Sequence, residues 1–357
     1  MKTFAIETSC DDTSLAIVSF EENFFNVEKI LLHSQIKNHT KFWWVVPELA
    51  SRLHEEKIID LLEEIWLSNI EKTDFISYTC CPWLPGSLLV GKTLANTLEK
   101  FLNKELVPVN HIYGHIFSIF CERKFTDIEF PLLVLTVSGG HNEIFLVSKG
   151  DFETEELNQY LLKIKESYAL SDEIIKWELG PFKLYKLGFT LDDAAWEAFD
   201  KVSKMLGWPY PGWKWIFDLA KNYNFKDYGI KFPRIWLKKN EFLFSFSGLK
   251  AQVNYKIKEF EEKWILSEEI KSAIAYEFQQ AVVETLWKKL LKAAKYFWIK
   301  NIALVWGVSA NESLKSFIKD NMEQYWILNF YTPVKNLYST DNAAMIGVVG
   351  LISKINC

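Results

Sequence analysis

Val107-Pro108-Val109-Asn110-His111-Ile112-Tyr113-Gly114-His115 is the stretch whose reading decides the fold. The apolar run from Glu105 predicts a strand that ends at Asn110, where a helix begins. On that helix His111 and His115 stand one turn apart on one face. Imidazole is the commonest protein ligand for zinc and related metals, and this spacing lets both rings converge on one ion. Two histidines on an exposed helix face would show the same spacing, so the pair counts as a site only in company.

Toward the N-terminus, Phe4 to Thr8 and Thr13 to Phe20 read as strands joined by the turn Ser9-Cys10-Asp11-Asp12, with a third strand near Val27 to Ser34. Pro47 to Trp66 has the periodicity of an amphipathic helix, and Phe75 to Thr79 reads as a strand. Pro85-Gly86-Ser87 opens a helix reaching Leu102, with an N-terminus suited to anions.

Toward the C-terminus, the buried strand Leu132 to Val137 runs into Ser138-Gly139-Gly140-His141, and Glu143 to Val147 returns as its partner. Glycines there serve either a hairpin or a backbone cradle for phosphate. Roughly Lys149 to Phe182 is charged and reads as helical. Asp192-Asp193 is expected to cap a helix from Ala194 to Leu206, and Phe244 to Lys250 alternates like a strand and then turns. Then come a long helix, Glu268 to Phe297, and a strand, Ile302 to Val305, leading to Gly307-Val308-Ser309-Ala310-Asn311. Ser339-Thr340-Asp341-Asn342 caps the last helix, Ala343 to Ser353. Each half shows strands followed by a strand-loop-helix unit, with its turns at strand ends, where α/β folds bind ligands. A two-lobed nucleotide-binding α/β protein follows, but no particular reaction.

The chain's 357 residues exceed one ordinary domain. No apolar run is long enough to span a membrane, and the odd, scattered set of five cysteines fits a reduced cytoplasm. At net charge −5, contact with nucleic acid needs a local basic patch or a partner protein. Glycine and tryptophan each number 15, whereas glycine ordinarily makes up about 7% of a chain of any length and tryptophan far less.

The motifs accumulate in order. They are Ile6-Glu7-Thr8-Ser9-Cys10-Asp11-Asp12-Thr13, Val45-Val46-Pro47-Glu48-Leu49-Ala50-Ser51-Arg52-Leu53-His54, Leu84-Pro85-Gly86-Ser87, Asn110-His111 with Gly114-His115, and Val137-Ser138-Gly139-Gly140-His141. Leu191-Asp192-Asp193-Ala194-Ala195 with Glu197-Ala198-Phe199-Asp200-Lys201, Phe244 to Lys250, and Thr340-Asp341-Asn342-Ala343-Ala344-Met345-Ile346 follow. Over nearly its whole length the chain resembles the TsaD family, the catalytic subunits of tRNA N6-adenosine threonylcarbamoyltransferase.

The resemblance implies an α/β, actin-like (ASKHA) fold, two RNase-H-like lobes with a nucleotide cleft between them. Residues 1–118 would form one lobe, joined by the C-terminal helix 341–357, and 119–340 the other, with a family-atypical segment at about 149–182. It implies transfer of a threonylcarbamoyl group from threonylcarbamoyl-AMP to N6 of adenosine 37 in tRNAs reading ANN codons. Carried over by motif, His111, His115 and Asp341 would hold one divalent ion, iron or zinc. Thr136, Val137, Ser138, Gly139 and Gly140 would line the acyl-phosphate region. Asp200 would take the ribose hydroxyls, Trp213 and Asn311 would sit against the nucleotide, and Asp11 would orient the incoming amine. The resemblance also implies tRNA and TsaB-like and TsaE-like proteins as partners, a TsaC-like enzyme supplying the adenylate, and no membrane. Another ATP-binding enzyme of the sugar-kinase type would lack the histidine pair. A catalytically decayed scaffold would share the motifs, and a metallopeptidase would need a His-Glu-x-x-His that is not present.

Cys81 stands where the family has glycine, and tryptophan does so repeatedly: Trp43 and Trp44, Trp83, Trp196, Trp213 and Trp306, with Trp298 where a helix-terminating glycine belongs. Overpacking costs about 1–3 kcal/mol per site, and a forced left-handed backbone a similar amount again. Such a pattern is expected if these codons are UGA, read as glycine by the organism; genuine tryptophans in a diverged protein, or a decayed paralogue, are the alternatives.

Overall fold

The computed structural model describes residues 1–137, 140–234, 242–307 and 312–355, arranged around two sheets. The first is built from β1 (Lys2–Glu7), β2 (Asp12–Glu21), β3 (Phe24–Ser34), β4 (Phe75–Cys81) and β5 (Glu105–Asn110). Between β3 and β4 come α1 (Ile36–His39), α2 (Pro47–Ile65) and α3 (Leu67–Glu71); α4 (Pro85–Leu102) precedes β5 and α5 (His111–Phe117) follows it. The order β3-β2-β1-β4-β5 sets β1 between antiparallel β2 and parallel β4.

The second sheet comprises β6 (Leu132–Val137), β7 (Asn142–Lys149), β8 (Lys176–Leu179), β9 (Phe182–Gly188), β10 (Asn301–Val305) and β11 (Asn329–Tyr331). α6 (Glu155–Tyr168) and α7 (Asp172–Ile175) lead into β8. After β9 come α8 (Ala195–Met205), α9 (Gly212–Lys221), α10 (Ser247–Glu262) and α11 (Glu268–Tyr296); α12 (Glu312–Asn321) joins β10 to β11, and α13 (Ala343–Lys354) ends the fold. Its order, β8-β9-β7-β6-β10-β11, repeats the first sheet with one edge strand added. Residue identity gives no hint of that duplication.

β6 is buried at every position, the pattern of a strand covered on both faces. α11 covers one face of the second sheet with a long row of buried side chains. α13 returns to the first sheet, packing on β1 and β2. Its Gly347 passes so close to the sheet that a β-carbon would meet Val18 at 2.6 Å, so only glycine lets the helix seat there. Asn342 caps α13 by accepting from Met345 N–H at 3.1 Å, as the sequence predicts, and so fixes Asp341 just outside the helix.

Three sequence expectations are corrected. Asp192 and Asp193 do not cap α8, whose N-cap is Ala194 with no side-chain bond. Instead Asp192 accepts from Phe246 N–H at 2.8 Å, and Asp193 pairs with Lys201 and Lys250 at 2.8 and 2.6 Å. Phe244 to Lys250 is not a strand: Phe244 makes one bridge with Thr190, and α10 begins at Ser247. The segment after Lys149 is helical only through α6 and α7, then gives β8, which pairs antiparallel with β9.

Candidate metal centre and nucleotide cleft

The carboxyl ends of β1 and β4 face those of β6 and β10 across a cleft, and His111, His115, Asp341, Asp11, Asp200, Gly140 and Trp213 gather there. Asn110 ends β5 and caps α5, accepting from Ile112 N–H at 2.8 Å. That fixes the first turn, where His111 and His115 lie fully buried with their Nε2 atoms 3.1 Å apart. Asp341 Oδ1 lies 3.1 Å from His115 Nε2 and 3.5 Å from His111 Nε2. Tetrahedral zinc with bonds of about 2.0–2.1 Å would space its donors roughly 3.3 Å apart. Two imidazole nitrogens and a carboxylate oxygen already converge at that spacing, so the residues fit a metal ion.

Sequence reasoning missed Glu7. It closes β1 and is fully buried, with Oε2 3.0 Å from His111 Nδ1. The Thr79 hydroxyl and the Ser9 N–H each donate to it at 2.6 Å. This carboxylate fixes the ring of His111 and directs Nε2 toward Asp341, the usual way a protein orients a ligating histidine. A glutamate inside the apolar run Phe4-Ala5-Ile6-Glu7 was the available signal, since a carboxylate is almost never fully buried without partners.

Burial alone would lower the pKa of His111, but the carboxylates of Glu7 and Asp341 reverse this and push it up to about 10. His115 goes the other way, down to about 4, through burial and the neighbouring His111 charge. Burial would raise Asp341, yet the two histidines hold it well below the usual carboxylate range. Its Nδ1 buried without a partner, His115 is braced instead by Trp306, whose indole stacks on it at 3.8 Å and 15°.

Cys10, Asp11, Asp341, Gly140, Asp200 and Trp213 share one cavity of about 280 Å³. Asp11 is raised to about 6 by burial and the nearby Asp341 charge. Asp200, on α8, is no surface carboxylate. It accepts from the Gly212 N–H at the start of α9 at 2.6 Å, and burial raises it to about 6. Thr136 and Val137 end β6, buried, and Val137 pairs with Asn142 in a hairpin. Ser138, Gly139 and Asn311 lie outside the described residues.

Trp83, Trp196, Trp213 and Trp306 line the same cavity. Trp83 stands edge-on to His111 at 6.1 Å and to His141 at 4.9 Å, and its Nε1 is buried without a partner. Trp196 and Trp213 pack at 5.6 Å, both in ordinary helical backbone.

Two matching sheets facing across a cleft, with a histidine–histidine–carboxylate corner at its base, define a two-lobed protein of the actin-like class. Solved structures agree on that fold. HypF from T. kodakarensis superposes with a TM-score of 0.55 at 15% identity, over 98% of this chain and 47% of that one. A full-length HypF in a phosphate- and nucleotide-bound form gives 0.55 at 12%, over 99% and 55%.

The family model for "TsaD: tRNA N6-adenosine threonylcarbamoyltransferase" matches residues 26–178 and 178–348, and the chain belongs to that family. The tRNA N6-adenosine threonylcarbamoyltransferase of Kosmotoga olearia is 39% identical over 352 residues, 98% of this chain and 92% of the relative. That of Bacillus subtilis is 36% identical over 359 residues, 99% and 90%. No helix among the described residues is long and apolar enough to cross a membrane.

Proposed function

We propose that this chain transfers the threonylcarbamoyl group of threonylcarbamoyl-AMP to N6 of adenosine 37 in tRNAs that read ANN codons. The observation that carries this reading is the corner of Glu7, His111, His115 and Asp341 opening on the cavity that holds Asp11 and Asp200, in a chain of the TsaD family. The lobes of such an enzyme would be 1–118 with 341–357, and 119–340.

Asp200, ionised at neutral pH and anchored by Gly212 N–H, keeps acceptor capacity for the ribose hydroxyls of the adenylate. Thr136 to Gly140, at the end of β6, would face the acyl-phosphate. An exocyclic amine of adenine is a weak nucleophile, so holding it against the carbonyl supplies much of the rate. Asp11, with its pKa near 6, suits a general base at that position. As N6 bonds to the carbamoyl carbon, the bond from that carbon to the phosphate oxygen breaks. AMP leaves, and the N6 proton passes to Asp11 and on to solvent. One divalent ion, iron or zinc, held by His111, His115 and Asp341, would supply a Lewis acid for the negative charge that develops on oxygen.

With net charge −5 the chain would bind tRNA weakly by itself. TsaB-like and TsaE-like partners would complete the machinery in the cytoplasm, with a TsaC-like enzyme supplying the adenylate. The test is formation of threonylcarbamoyladenosine in tRNA by the purified protein with those partners and synthetic threonylcarbamoyl-AMP. Product should form and vanish in His115→Ala; undiminished product in that variant would overturn the assignment.

A further inference from the structure

Among the described residues, 13 that are not glycine hold positive φ, and 7 of those 13 are tryptophan. Left-handed backbone ordinarily goes to glycine and, far less often, to asparagine, aspartate or histidine; for a bulky side chain it is an outlier. A residue type that supplies 15 of 357 positions should supply fewer than one of 13.

Three of the seven sit just past a helical end: Trp264 and Trp298 after the C-cap residues of α10 and α11, and Trp326 directly after the short helical turn Glu323–Tyr325. At Trp264 (φ 58°) the indole residue's N–H bonds Glu261 O at 2.9 Å, and the next N–H, of Ile265, bonds Phe260 O at 3.1 Å. At Trp326 (φ 59°) the matching bonds run to Glu323 O and Met322 O, both 3.1 Å. Past Trp298 (φ 56°), Ile299 N–H bonds Ala294 O at 2.9 Å. This pair of bonds is the helix-terminating motif whose left-handed position is glycine's. The chain itself supplies the comparison. After α8 the same bonds, 3.1 Å to Lys204 O and 3.0 Å to Ser203 O, are made with Gly207 at φ 90°.

Burial does not repay the helix-end indoles for this conformation, although Trp298 and Trp326 stack on each other at 6.4 Å. Trp264, Trp298 and Trp326 are 94%, 76% and 64% exposed. Trp66, at φ 66° between α2 and α3, is 68% exposed. Trp83, at φ 113°, adopts a backbone that only glycine takes freely. Trp43 (φ 66°) closes a short helical turn, and Trp306 (φ 70°) directly follows β10. By contrast Trp287, buried in the middle of α11, is in helical backbone and is what an ordinary tryptophan looks like.

We propose that Trp43, Trp66, Trp83, Trp264, Trp298, Trp306 and Trp326 are encoded by UGA and that the cell making this protein inserts glycine there. The sequence pattern alone named Trp43, Trp83, Trp298 and Trp306; the backbone adds Trp66, Trp264 and Trp326. It makes no demand at Trp44, Trp196 or Trp213. Two of the seven, Trp83 and Trp306, are the rings packed on His111 and His115, so the cleft of the native protein is more open than the written sequence allows.

The decisive experiment is peptide mass spectrometry of the protein isolated from its own cells, read beside the coding DNA. Glycine in the peptides spanning the seven positions, with UGA codons, is expected. A UGG codon or a tryptophan-bearing peptide at any of them overturns the common origin. A second readout needs no source cells: the chain as written against Trp264→Gly/Trp298→Gly/Trp326→Gly. The triple variant should melt several degrees higher, while Trp287→Gly should melt lower; a fall in the triple variant contradicts the proposal. Neither readout depends on transferase activity, so failure of the functional assignment would leave both intact.

Discussion

On one wall of the cleft, Glu7, Ser9, Thr79, His111 and Asp341 hold one another in a closed set of bonds at 2.6–3.5 Å. On the other, Asp200 is anchored only by backbone N–H groups at the start of α9, Gly212 at 2.6 Å and Trp213, and faces Trp196 and Trp213. Between the two walls stand Trp83 and Trp306, both in left-handed backbone. The histidine–carboxylate corner is therefore complete in the sequence as written, while Trp83 and Trp306, in backbone that does not favour them, crowd the cavity beside it. Left-handed backbone costs an L-residue about 1–2 kcal/mol, so two of the seven such sites bear directly on the cleft.

Breaking the closed wall should have the largest effect. In His111→Ala, Glu7 loses its charge partner while remaining fully buried. Removing one member of a buried pair costs about 3–5 kcal/mol, measurable as a drop in denaturant midpoint at unchanged slope. Stability within 1 kcal/mol of the parent, an estimate at the low end of single-site effects, would mean that Glu7 is not held by His111.

Glu7→Gln is milder. It keeps the volume but weakens the orientation of the His111 ring, and such losses cost roughly 10- to 100-fold in metal affinity. Zinc competition with a chelator measures this directly, and an unchanged affinity would remove Glu7 from the site.

The smallest effect expected is at Asp200. Burial raises its pKa to about 6, so its carboxylate is ionised at neutral pH and protonates as pH falls through that value. AMP affinity should therefore drop several-fold between about pH 7 and 5, a modest part of the charge assistance to a hydrogen bond. In Asp200→Asn the affinity should be low and flat over the same range. Acid unfolding through this group does not mimic the result. A carboxyl with a raised folded pKa favours the fold in its protonated form and loses that stability as pH rises from its ordinary value toward 6. A profile equally steep in both proteins would show that Asp200 does not meet the ligand.

Much of this was legible beforehand because local rules carried it. His111 and His115 follow from helical spacing after an apolar strand, and Asn342 follows from cap chemistry. Glu7 was not legible as a participant, because its partners Thr79 and His111 lie 72 and 104 residues away and meet it only when β1, β4 and β5 are side by side. Phe244 to Lys250 alternates like a strand, yet that pattern cannot say whether a neighbouring strand is present to pair with. Among the described residues only Thr190 is, and Ser247 starts a helix. Asp192 and Asp193 stand where caps belong but are drawn to Phe246, Lys201 and Lys250, a tertiary preference that no local rule anticipates. The left-handed tryptophans are the reverse case: composition and motif position raised the question at four of them, and backbone angles added Trp66, Trp264 and Trp326.

The most direct measurement of the central claim is the metal content of the purified protein, determined by elemental analysis after dialysis against chelator-free buffer. One equivalent of zinc or iron per chain is expected, falling to a trace in both His115→Ala and Asp341→Asn, because each removes one of three donors spaced 3.1–3.5 Å apart. A full equivalent retained in either variant would contradict the metal centre.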